Sequence, residues 1–131
     1  MRQKKKSTLL TEVELEFMTA IWRIKGGTVR EVMANLADDR QLAYTSASTI
    51  LRILEQKGFL TSERAEKSFV YRPTVDKPAY QAKSLRNLSE KLFDNTPSSL
   101  VARLVDDENM SQEALQEIHA LLEKRLGKNA D

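Results

Sequence analysis

The feature that most limits how this chain can fold is the stretch 43–60, AYTSASTILRILEQKGFL, which reads as one helix with two unlike faces. Ala47, Ile50, Leu51 and Leu54 recur at the i, i+3, i+4, i+7 spacing and line an apolar side that must be covered. Thr45, Ser48, Thr49, Arg52 and Gln56 recur on the other side, with hydroxyls, an amide and one guanidinium but no carboxylate. Short polar groups of this kind suit base edges and phosphates in a DNA major groove, where an arginine can fork onto guanine. Lys57 and Gly58 stop the helix, the glycine serving where a left-handed residue is needed. Two short β-prone runs follow, 59–64 and 68–73, joined through Ala65, Glu66 and Lys67.

Two helices are expected upstream. Thr11 and Glu14 form a T-x-x-E capping box, and Val13, Phe17, Ala20, Ile21 and Ile24 give a buried stripe widened by Leu15, Met18 and Trp22. Gly26 and Gly27 break it. Thr28 and Glu31 repeat the box and open a second helix to about residue 37, with Val29, Val32, Met33 and Leu36 on its apolar side. No single stripe of the three is buried alone, so the helices must pack on one another. With the hairpin, they predict a winged helix-turn-helix over 10–75, preceded by a basic flexible tail over 1–9.

Beyond residue 75 the pattern is wholly helical. Asp76 and Pro78 start a helix to about residue 93, with Leu85, Leu88 and Leu92 on a stripe and Tyr80 at its start. Asn95, Thr96 and Pro97 interrupt it before a short helix over 98–105, carrying Leu100, Val101 and Leu104. Ser111 is an N-cap candidate for a last helix to about residue 126, with Leu115, Ile118, Leu121, Leu122 and Leu126, and Gly127 just beyond. Leucine stripes without a partner inside the chain are explained by a symmetric dimer, in which one patch on two copies closes a core. The alternative is an intramolecular cap on the winged helix. The fold class expected is therefore mainly α with a small β-hairpin wing, and 76–131 is the helical dimerisation region.

Composition removes other classes. The 131 residues include no cysteine, so disulfides, thiolate metal sites and cysteine nucleophiles are excluded, and no cofactor is implied. No apolar run approaches the length of a membrane span, and the basic start MRQKKK is not followed by an apolar block, so a cytoplasmic protein is expected. Lys and Arg outnumber Asp and Glu 13 to 9 up to residue 75, whereas the balance is 8 to 10 after it, so the positive charge sits in the reading half. An enzyme is not expected: the one histidine, His119, lies mid-helix among leucines and alanine, with no nucleophile elbow, H-E-x-x-H pair or phosphate loop. Asp106 and Asp107 read as helix punctuation.

The segment AYTSASTILRILEQKGFL closely resembles the recognition-helix signature of the penicillinase-repressor family, the BlaI, MecI and CopY type. LTEVELEFMTAIW is similar to that family's first helix. VYRP in the second wing strand and SLVARLVDDENMSQEALQEIHALLEK near the C-terminus resemble it too, so that the likeness spans 10–126. It implies a homodimeric repressor on a pseudo-palindromic operator, dimerising through the C-terminal helices. Base and phosphate contacts would fall on Thr45, Ser46, Ser48, Thr49 and Arg52, and wing contacts near Arg64 and Lys67. Two departures matter. The asparagine–phenylalanine pair cut by a protease in β-lactam-responsive members is matched here by Arg103 and Leu104, so that cleavage is not expected. The cysteine array of copper-responsive members is absent.

The expectation is thus a sequence-specific, double-stranded-DNA-binding repressor acting as a homodimer, with no membrane partner and no upstream sensor or protease identified by its residues. Thr28, at a helix N-terminus, is a minor phosphate candidate whose capping role explains it fully. Leu85, Leu88, Leu92, Leu100, Leu104, Leu115, Ile118 and Leu122 are assigned to the dimer contact. The competing reading is a winged-helix adaptor that docks a protein through the same polar face and binds no DNA.

Overall fold

The computed structural model describes residues 9–129. Among them the chain forms α1 (Glu12–Ile24), α2 (Val29–Ala34), α3 (Tyr44–Gln56), β1 (Leu60–Ala65), β2 (Ser68–Pro73), α4 (Lys77–Leu92), α5 (Pro97–Val105) and α6 (Gln112–Asn129). The chain divides after Ser84 into two compact units. Of the tail expected over 1–9, residues 1–8 lie outside the described residues, and Leu9 packs on the core.

Both capping boxes form. The Thr11 hydroxyl accepts from the Glu14 amide at 3.2 Å while Glu14 Oε1 accepts from the Thr11 amide at 2.9 Å. Thr28 and Glu31 make the same exchange at 3.2 and 2.8 Å. α2 ends at Ala34, short of the expected 37, because the chain tightens: the Asn35 amide donates to the Val32 carbonyl and the Leu36 amide to Met33. Phe17, Met18 and Ile21 of α1, Val32 of α2, Leu51 and Leu54 of α3 and Leu60 of β1 are fully buried together. Each such side chain contributes about 1.5–3 kcal/mol of burial, which none of the helices obtains alone.

Gly26 and Gly27 do more than break α1. Gly27 and Tyr71 exchange two backbone hydrogen bonds, at 2.9 and 2.8 Å, so the hairpin is stitched to the corner between α1 and α2. Gly26 has φ +113, and a Cβ there would stand 2.7 Å from the Tyr71 carbonyl oxygen. The hairpin is antiparallel with Ala65 opposite Ser68, which leaves Glu66 (φ 55) and Lys67 as a two-residue turn.

The core continues past Val75. The Trp22 Nε1–H donates to the Val75 carbonyl at 2.8 Å, and Tyr80 is buried with its ring 5.9 Å from those of Trp22 and Phe59. The Tyr80 hydroxyl accepts from the Leu10 amide at 2.8 Å, so the first turns of α4 close the core over the start of α1.

The second unit is built differently. Among its described residues no apolar side chain is buried. Leu85, Leu88, Leu92, Leu104 and Leu122 are exposed, as are Val101, Leu121 and Leu126. Leu100, Leu115 and Ile118 are half-buried. Left-handed Asp94 and Asn95 end α4, with Pro97 starting α5. The Ser111 hydroxyl accepts from the Ala114 amide at 3.0 Å at the start of α6. α6 does not stop before Gly127; it runs through it to Asn129.

Candidate nucleic-acid interface

At 3.6 residues per turn, Thr45, Thr49, Arg52 and Gln56 fall in one row, opposite Ala47, Leu51 and Leu54. The two rows differ completely in environment. Ala47, Leu51 and Leu54 have no accessible surface, whereas Thr45, Thr49, Arg52 and Gln56 are all exposed. Ser46 is exposed beside the polar row, next to Ile53, and Ser48 is half-buried on its other flank near Tyr44. The Thr49 hydroxyl donates to the Thr45 carbonyl at 3.0 Å and keeps its acceptor face outward.

Arg52 is not consumed by a neighbouring acid. Glu55 instead accepts from the Ser62 hydroxyl at 2.8 Å, and Glu63 lies 3.9 Å from Arg72. Among the described residues Arg52 forms no ion pair. Its planar fork of donors therefore faces solvent unneutralised.

The two ends of α3 are held in different ways. At the C-terminal end Lys57 Nζ donates to both carboxylate oxygens of Glu14, each at 2.8 Å, pinning α3 to the start of α1. Burial pushes the Glu14 carboxyl up, but the Lys57 ammonium and the Thr11 amide outweigh it and hold the group below its ordinary value of 4.5. At the N-terminal end Ala43 supplies no capping side chain and the first turn carries no acid, so α3 itself sets no carboxylate against those amides. There Arg30 of α2 stands over the Tyr44 ring, 4.9 Å from its centroid.

On the wing, Arg64 faces Phe69 across the ladder with its guanidinium 5.6 Å over that exposed ring, and Lys67 occupies the turn. Thr28 is spent on its helix: its amide donates to Glu31 and its hydroxyl accepts from the Glu31 amide. The fold thus gathers Thr45, Thr49 and Arg52 in one row, sets Ser46 and Ser48 at its edges, puts Arg64 and Lys67 on the wing, and leaves Thr28 in a cap.

Four contributors escape a reading of the sequence alone. Arg30 and Ile53 lie beside the polar row, while Glu14 and Gly27 hold α3 and the wing from behind. Glu14 did leave a signal. It stands in register with Phe17, Met18 and Ile21, and a carboxylate on a buried stripe needs a cation.

A three-helix core followed by a β-hairpin, with one bare polar row on the third helix, defines a winged helix-turn-helix protein. The pattern of the penicillinase repressor family matches residues 10–124, and the chain belongs to that family. It is 26% identical over 120 residues to the penicillinase repressor of Bacillus licheniformis, covering 92% of this chain and 94% of that one. The methicillin resistance regulatory protein MecI of Staphylococcus aureus is 25% identical over 116 residues, 88% of this chain and 94% of MecI. Among solved structures, the DNA binding domain of the repressor BlaI is 30% identical, covers 59% of this chain and 94% of its own, and superposes with a TM-score of 0.50.

Proposed function

We propose that the protein is a sequence-specific DNA-binding transcriptional repressor that acts as a homodimer on a pseudo-palindromic operator. The observation that carries this reading is the row Thr45, Thr49, Arg52 and Gln56, exposed along α3 while its opposite side is fully buried. A helix about 10–12 Å across with its side chains fits a major groove about 12 Å wide. Arg52 would fork onto guanine or clamp a phosphate, the hydroxyls of Thr45, Ser46, Ser48 and Thr49 would meet base edges or backbone, and Ile53 offers apolar contact to a thymine methyl. Arg64 and Lys67 would bring the wing to phosphate. Thr28, with its amide and its acceptor already engaged, contributes least. The names of the relatives, a penicillinase repressor and a methicillin resistance regulatory protein, agree with this assignment.

The winged helix over 10–75 would read the DNA and the helices over 76–131 would pair two copies. Support for pairing comes from leucines that one copy leaves uncovered: Leu85, Leu88, Leu92, Leu104 and Leu122, with Leu100, Leu115 and Ile118 beside them. A two-fold dimer would then set half-sites one helical turn or a multiple apart, about 34–36 Å or more. Such a protein would work in the cytoplasm, on its double-stranded operator, without a cofactor or a catalysed reaction. No described helix is long and apolar enough to cross a membrane.

The test is to recover the fragments of its own genome that the protein retains and to titrate binding with salt. A small set of fragments sharing an inverted repeat, bound with steep salt dependence, is the expected result. Retention of no fragment, together with salt-insensitive capture of a protein, would replace this reading with the adaptor.

A further inference from the structure

We infer that Arg30, held over the Tyr44 ring, is a phosphate clamp at the edge of the reading helix, with Tyr44 as its positioning residue. The inference rests on the DNA-binding reading above. Val29 and Val32 turn one side of α2 inward, which leaves Arg30 outside. Its guanidinium stands 4.9 Å from the centroid of Tyr44, the first residue of α3 and the one immediately before Thr45. A helix about as wide as the groove it enters leaves no room at its sides except where the sugar-phosphate backbone passes. A cation fixed to the flank of α3 is therefore set where a phosphate would run.

Three further facts favour a built arrangement over a stray surface arginine. Among the described residues Arg30 forms no ion pair. Tyr44 remains 43% exposed, an aromatic ring left at the surface with a guanidinium for a neighbour. The same pairing recurs where Arg64 lies over exposed Phe69, so the elements before and after α3 each present an arginine parked on a ring. Stacking restricts the long side chain beforehand and leaves the edge of its fork free, so less freedom is lost when it meets an oxyanion.

The experiment measures binding of the full-length protein to a mixed-sequence duplex, three helical turns long, as salt is raised. Arg30→Gln should lower the slope of log affinity against log salt by about 0.9 per bound copy and weaken binding about fivefold at about 0.15 M salt, equally on every sequence. Tyr44→Phe should match wild type. Tyr44→Ala should weaken binding in the wild-type background and add nothing to Arg30→Gln. Thermal melts should stay unchanged for Arg30→Gln, since the side chain is exposed. An unchanged salt slope for Arg30→Gln overturns the clamp, and a Tyr44→Ala loss that is the same in both backgrounds overturns the pairing. If wild-type protein itself shows no salt-dependent binding to any duplex, the DNA-binding reading fails first and takes the clamp with it.

Discussion

Replacing Leu122 by alanine should weaken self-association about 30-fold while leaving the single chain intact. Leu122 is 54% exposed on α6, so roughly half of its burial is unrealised in one copy. Complete burial of a leucine is worth about 1.5–3 kcal/mol, which makes the missing half about 1 kcal/mol. A two-fold interface uses the residue twice, giving about 2 kcal/mol, and at about 1.4 kcal/mol per tenfold this is about 30-fold in the dissociation constant. The same reckoning for Leu85, Leu88, Leu92, Leu104, Leu121 and Leu126 gives a gross gain comparable with the cost of association, about 4–15 kcal/mol. A balance that close makes single truncations measurable. Sedimentation equilibrium over a concentration series reads the constant directly. Leu122→Asp, which would bury a carboxylate at the same place, should abolish the dimer. A Leu122→Ala constant within about threefold of wild type, together with a Leu122→Asp protein that still sediments as a dimer, would refute the interface and this use of exposed area.

Four further outcomes follow from other positions. Arg52→Ala should cost about 1–3 kcal/mol of operator binding and relax the choice of base at one position, whereas equal loss on all duplexes would mark a phosphate contact. Gly26→Ala should destabilise the first unit by about 1–3 kcal/mol or more in chemical denaturation, since its backbone is left-handed and its Cβ would meet the Tyr71 carbonyl, while Gly127→Ala, inside α6 with open space around it, should stabilise by up to about 1 kcal/mol. Glu14 has a folded pKa below its ordinary 4.5, so the stability it adds is complete above pH 4.5 and is lost as pH falls through the folded value. Melting temperature should therefore drop more steeply on acidification for wild type than for Glu14→Gln, and parallel curves would remove the Lys57 contact from the account.

Periodicity made the helices and the exposed polar row legible because it reports a local fact: residues three and four apart share a side whatever the rest of the chain does. The Thr11 and Thr28 caps were legible for the same reason, since both partners lie within one turn. What stayed hidden depends on segments far apart in the chain meeting. Tyr80 reads as a helix-start residue until its hydroxyl is found on the Leu10 amide, and Arg30 belongs to no sequence pattern until Tyr44 is placed beneath it. The glycines show why local rules stop where they do. A glycine ends a helix only when the chain beyond it turns back to satisfy the last carbonyls. After α1 the Lys25 and Gly26 amides both return to the Ile21 carbonyl, and after α3 the Phe59 amide returns to Leu54. At Gly127 the helix runs on, since about 1 kcal/mol of lost preference is too little to stop a helix already turning.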